Sequence, residues 1–238
     1  MDIPEIRSAV APFLLRADLA AASLVCKSWS ASFIPPLYSV IHWSMFSSQR
    51  PPSDEIVTHA DQIRCLYLVV DQFEVLIENC TKVEFLHVGL IFRNPEAMNQ
   101  LATLVKRNPG LKSIDIHVSD FVLPKDLLRA VSVIPALRKL QVHIHSMDEE
   151  CMELLLNTAI RLEHLKFISF GTASLKSLDK WPCFPTMKCL ECNFDKNMLI
   201  EFQLDMIRKC PQLRALSLNT IGHKQFPISD FCDILKTH

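Results

Sequence analysis

Glycine is nearly missing from this chain: there are 4 in 238 residues, at Gly89, Gly110, Gly171 and Gly222, each isolated. So sparse a supply leaves no flexible glycine-rich linker and no glycine-rich loop to cradle phosphate. Neither sign of charge is in excess. The formal net charge is −1, so no long-range field steers the protein to nucleic acid or an anionic membrane, and neither is expected as a partner. Long apolar runs are absent as well. A stretch such as Cys65–Val70 is far too short to span a bilayer. Asp2 makes the start acidic, and Arg16 and Asp18 interrupt the apolar stretch behind it. The basic start and unbroken apolar core of a secretory signal are therefore missing. Cysteine is present, but as 9 residues at irregular spacing. An odd, irregular set reads as reduced thiols, which places the protein in the cytoplasm or nucleus.

What the chain does have is apolar residues, 49% of the total, arranged as a repeat. One pattern recurs: apolar, two variable, apolar, one variable, apolar. It appears as Ile63-Leu66-Leu68, Val83-Leu86-Val88, Leu111-Ile114-Ile116 and Leu137-Leu140-Val142, then Leu162-Leu165-Phe167, Met187-Leu190-Cys192 and Leu213-Leu216-Leu218. The steps between copies run from 20 to 28 residues. The last two apolar residues of each triad are two apart, the period of a strand with one buried face. Most copies extend the alternation one step further, through Val70, Leu90, Val118, Ile144 and Phe194.

Between the strands the period becomes helical. Phe73, Leu76, Ile77 and Cys80 share a face, as do Met152, Leu155, Leu156 and Ala159, and again Leu199, Phe202, Met206 and Cys210. Proline then stops several of these helices, at Asn108-Pro109, Ile134-Pro135 and Cys210-Pro211, because it disfavours helical geometry in the residue before it. The stretch Leu175–Trp181 is too short for more than a turn or two. Such a unit cannot bury its apolar strip alone, whereas stacked units share one core.

From about Ile63 to Leu235 this pattern resembles the leucine-rich-repeat family. The resemblance implies an α/β solenoid: a horseshoe with a parallel sheet on its concave face and helices outside, of about seven strand–helix units over residues 45–238. Many members place Asn or Cys three residues after the strand's last leucine. Here those positions hold Asp71, Ile91, Ser119, His145, Phe170, Asp195 and Ile221, so no such side-chain ladder is expected.

Residues 1–44 lie outside the repeat and read as short helices. Ile3, Ile6, Val10 and Phe13 form a stripe that Pro12 should shorten or kink. Asp18 suits an N-cap for Leu19–Leu24, and a third helix should run from Val25 to Phe33 and end before Pro35-Pro36. About forty residues cannot bury this much apolar surface unaided, and helices with excess apolar surface commonly dock on another helical protein.

The run Ile3-Pro4-Glu5-Ile6, Leu14, Asp18-Leu19, Leu24-Val25-Cys26-Lys27-Ser28-Trp29 and Pro36-Leu37-Tyr38 resembles an F-box. It departs from the usual pattern at Pro12 and in carrying Tyr38 where Trp is common. The resemblance implies binding to the Skp adaptor, and through it to a cullin-RING ubiquitin ligase, with the repeats selecting an unknown target protein. Carried over by position, Pro4, Ile6, Leu14, Leu19, Leu24, Val25, Cys26 and Trp29 are the implied adaptor contacts. The alternatives are a Skp complex without ligase activity, or a repeat scaffold whose N-terminal helices merely cap the array.

No catalytic site and no cofactor is expected. Cys26 reads as a buried, inert thiol, and Cys189 with Cys192 as strand residues on opposite faces rather than a zinc knuckle alongside Cys183. The C-terminal stretch Ile228–Leu235 should close the last repeat incompletely. Target recognition falls to the residues between the triad positions, which point away from the core. Those assigned are Tyr67, Phe85, His87, Asp115, His117, Gln141, His143, His164 and Lys166. His117 and His143 should be neighbours, with His87 and His164 close by, as a solvated polar patch rather than a metal site.

Overall fold

A computed structural model describes residues 3–44, 51–69, 74–90, 95–118, 124–144, 148–169, 182–195 and 208–221. The chain opens with three helices, α1 (Pro4–Val10), α2 (Arg16–Ser23) and α3 (Lys27–Tyr38), with a 3-10 turn at Ala11–Phe13 after α1. Eight strands follow: β1 (Val40–Ser44), β2 (Cys65–Val69), β3 (Phe85–Leu90), β4 (Ser113–Val118), β5 (Lys139–Ile144), β6 (His164–Ser169), β7 (Cys189–Asp195) and β8 (Ala215–Ile221). Between them run α4 (Ser53–His59), α5 (Glu74–Asn79), α6 (Pro95–Arg107), α7 (Lys125–Ser132) and α8 (Glu149–Ala159).

The strands form one sheet in the order of the sequence, every neighbouring pair parallel. That order, with a helix returning the chain between each pair of neighbouring strands from β1 to β6, is an α/β solenoid. The triad residues of β2 to β6 are buried, from Ile63, Leu66 and Leu68 through to Leu162, Leu165 and Phe167. They share one continuous core with the inner faces of α4 to α8. Register is set just ahead of each strand. There the carbonyls of Arg64, Glu84, Lys112, Arg138, Glu163 and Lys188 each accept two successive N–H groups from the next unit.

The sheet begins earlier than the repeat count implied. Val40–Ser44 is a strand paired with β2, and its Ile41 and Trp43 are fully buried. Tyr38-Ile41-Trp43 is an eighth copy of the triad, starting 25 residues before Ile63. Its first position is a tyrosine at the end of α3, which an aliphatic pattern does not pick out. Helix α3 itself runs through Pro35 and Pro36 to Tyr38 rather than stopping before them. Each proline removes one helical N–H, yet the segment is pinned at both ends: Phe33 is buried in the core of the helical module, and Tyr38 packs against the solenoid core.

One other local reading is corrected. Helix α2 starts at Arg16 with Leu15 at its N-cap, so Asp18 lies inside the first turn and caps nothing. Its charge there still complements the amide-rich end of the helix. Pro12 does shorten the first helix, which gives way to the 3-10 turn after Val10. Helices α6 and α7 end ahead of Pro109 and Pro135. The expectations for Phe73, Leu175–Trp181, Leu199–Met206 and Ile228–Leu235 fall outside the described residues.

Candidate functional site: an aromatic and histidine run on the open sheet face

Because side chains alternate along a strand, the residues between the buried triad positions all face away from the helices. On that open face the strand register aligns His42, Tyr67, His87, Asp115, Gln141, Lys166, Glu191 and Ser217 in one column. A second column contains Gly89, His117 and His143.

The rings do not stay in one column. His42 stacks on Tyr67 with centroids 4.5 Å apart; Tyr67 packs on His87 at 5.4 Å; His87 packs on His117 at 5.4 Å; and His117 stacks on His143 at 3.7 Å. The run crosses from one column to the next between β3 and β4. Gly89 is the register partner of His117. Asp115 sits at the crossing. Its Oδ2 lies 3.0 Å from His87 Nδ1, at hydrogen-bond distance, and its Oδ1 lies 2.9 Å from His117 Nε2. The second contact is an ion-pair approach without hydrogen-bond alignment, so the buried Oδ1 has no hydrogen-bond partner among the described residues. His143 Nε2 is likewise buried without one. Burial, and next to it the neighbouring His117, hold the His143 pKa below the ordinary histidine value.

Tyr67 and Phe85 are exposed, Gln141 is half-buried, and Lys166 pairs with Glu191 at 2.7 Å. His164 is exposed but stands apart from the other histidines. It pairs with Lys139 and Cys189, whereas His143 pairs with Ile168, four residues further along β6. The expected proximity of His164 is therefore corrected: four strand residues are about 13 Å. His42 was missed because β1 was missed, and the tyrosine-start triad was the signal for it.

The helical module has its own small core of Ala11, Leu19 and Phe33, with Leu14, Ala22, Trp29 and Leu37 packed on it. Of the residues implied as adaptor contacts, Pro4, Ile6, Leu24, Val25 and Cys26 are exposed and Leu14 and Trp29 are half-buried. Leu19 is buried inside the module and offers no surface. Cys26 is not a buried thiol: it caps α3 in an extended conformation and faces solvent. Phe13 and Leu15 add to the exposed apolar set, with 86% and 74% of their surface free. Cys183 is exposed and Cys189 half-buried, while the side chain of Cys192 lies outside the described residues.

No family model matches the chain, and no curated protein matches it. Among solved structures it is similar to a leucine-rich-repeat-containing protein, LegL7, from Legionella pneumophila, at 13% identity and a TM-score of 0.47. That match covers 90% of this chain and 77% of the other. No helix among the described residues is long and apolar enough to cross a membrane.

Proposed function

We propose that this protein is a substrate-recruiting adaptor of a Skp–cullin–F-box ubiquitin ligase, its first helices holding the Skp adaptor and the open sheet face holding a target. The observation that carries the reading is the exposed apolar surface of α1 to α3. Ile6, Val10, Phe13, Leu15, Leu24 and Val25 all face solvent, on a module whose own small core is built on three buried apolar residues, Ala11, Leu19 and Phe33. Surface of that kind on α1 and on the turns flanking α2 fits docking into a partner's groove, and it includes Ile6, Leu24 and Val25 of the F-box-like residues. The protein then contributes proximity rather than chemistry, presenting the target to a ubiquitin-loaded enzyme supplied by other subunits.

The test is co-purification with a Skp adaptor. Leu24→Ala with Val25→Ala removes two exposed side chains, so the solenoid stays folded while binding is lost. Truncation at an interface hot spot costs about 2–4 kcal/mol. Trp29→Ala is the poorer probe, because Trp29 packs on Phe33 within the module, their ring centroids 5.5 Å apart. Unchanged adaptor binding in the double variant removes the ligase reading. Recovery of the adaptor without a cullin selects a non-ligase complex. Comparing the proteins captured by Lys166→Glu with those captured by the outer-helix control Arg129→Glu assigns the target-binding face.

One observation favours the plainer reading of a repeat scaffold capped by its N-terminal helices. Tyr38, at the end of α3, packs on the solenoid core, stacks on His59 at 4.0 Å and donates to Glu55 Oε2 at 3.0 Å. Under that reading no Skp adaptor is recovered at all.

A further inference from the structure

Three polar groups on the open face have a geometry that the aromatic run alone does not require. His87 comes from β3, and Asp115 and His117 from β4. His87 and Asp115 are register partners, and His117 is two residues beyond Asp115, so all three share one face. One ligand atom from each, a ring nitrogen from the histidines and an oxygen from the carboxylate, lie within 4.8 Å of one another. We propose that His87, Asp115 and His117 bind a divalent transition-metal ion of the zinc class.

Four features support this. The donor spacing is short enough: nitrogen and oxygen ligands about 2.0–2.2 Å from a tetrahedral zinc sit about 3.4 Å apart, and the Asp115 contacts to the two rings are already 3.0 and 2.9 Å. The donor chemistry selects the ion, because two imidazoles and one carboxylate suit zinc, nickel, copper or iron, whereas magnesium and calcium prefer all-oxygen shells. The support is rigid, since the ligands stand on neighbouring strands inside an eight-stranded sheet. The rings are held on both sides as well, with Tyr67 against His87 and His143 stacked on His117. Finally, Asp115 Oδ1 is buried between these groups with no hydrogen-bond partner among the described residues. A buried carboxylate oxygen left in that state is costly, and a cation satisfies it. Each imidazole binds as the neutral ring with its proton on the nitrogen away from the metal, so no covalent step is involved. Three protein ligands leave a fourth position facing solvent, where a group from a bound partner can enter.

The experiment uses the full chain and zinc itself, measured by competition against a fluorescent zinc chelator at neutral pH. The expected result is one zinc per chain, not displaced by excess magnesium or calcium. Asp115→Asn and the double variant His87→Gln with His117→Gln should each weaken binding by at least about tenfold. Far-UV circular dichroism of the same samples confirms that the variants are folded. A second readout needs no variant: cobalt loaded into the native chain should give visible d–d bands without the near-ultraviolet band of thiolate ligation. A thiolate band, zinc binding unchanged in the double variant, or no zinc binding by the native chain would each overturn the proposal.

Discussion

Asn108 reaches back one repeat to Val83 and takes its backbone N–H on Oδ1 at 2.8 Å. The same side chain donates from Nδ2 to the carbonyls of Cys80 at 2.9 Å and Leu104 at 2.8 Å. Asn108 is fully buried, so these three bonds satisfy backbone groups that water cannot reach. A leucine of similar size fills the space but leaves the Val83 N–H and two carbonyls unpaired. Asn108→Leu should therefore lower stability by about 2–3 kcal/mol, read as a shift of the urea midpoint at unchanged slope. A shift near zero would mean that water reaches these groups.

That asparagine also marks what could be read in advance. The triads were legible because a half-buried strand needs period two and its return helix needs a period near 3.6, and both leave apolar residues at fixed offsets. Leu66, Ile114, Leu140 and their neighbours are accordingly buried. Asn108 was not legible, because a lone polar residue at a helix end follows no period, and its partners are backbone atoms of the previous unit. The columns on the open face followed from alternation alone. The diagonal ring run did not, since alternation fixes which face a ring stands on and not which way it leans towards the neighbouring strand. The exposure of Cys26 was not legible either, because apolar neighbours in sequence suggest burial, whereas Leu24 and Val25 are themselves exposed.

The thiols should divide sharply. Burial pushes Cys80, Cys151 and Cys210 up to about 12, so at neutral pH these have almost no thiolate and little access to a reagent. Cys26 and Cys183 are exposed. Labelling the native protein with a maleimide and mapping the adducts by mass spectrometry should mark Cys26 and Cys183 within minutes, while Cys80, Cys151 and Cys210 stay unmodified until denaturant is added. Native labelling of Cys80 as fast as of Cys26 would contradict the packing of α5 on the sheet.

Asp148 gives a pH dependence with a definite sign. Its carboxylate caps α8, accepting the Cys151 N–H at 2.8 Å. Chiefly that bond, with help from Lys125, holds the Asp148 pKa below the ordinary aspartate value. A group whose folded pKa is depressed stabilises the fold above its unfolded value and loses that contribution as pH falls through the folded one. Asp148→Ala should thus cost about 1 kcal/mol at neutral pH, the usual worth of an N-cap. The gap between the two proteins should narrow as the pH drops below about 4. Denaturant titrations of both proteins at neutral and acid pH check this; a gap that widens in acid would mean the carboxylate is not the cap.

Trp43 tests how the two parts of the chain are joined. It is fully buried in β1, a strand that follows α3 after a single residue, Ser39, and pairs with β2 along its whole length. Deleting the indole leaves a cavity at the first layer of the solenoid, where only one neighbouring strand holds β1 in place. Trp43→Ala should cost about 3–5 kcal/mol if the unit unfolds as a whole. In a stacked array, however, the terminal layer can open by itself, so the loss should be concentrated in β1 and α4. Amide exchange should then rise across Val40–Ser44 and Ser53–His59, while β4 and β5 keep their native protection. The exposed apolar residues from Ile6 to Val25 precede this joint in the chain, and none belongs to the solenoid core. If they form an adaptor-binding surface, Trp43→Ala should leave adaptor binding intact while loosening the link to the sheet. Equal loss of protection in β1 and β5 would instead show that the helices and the sheet unfold together, with the first strand as much a part of the central core as the strands in the middle.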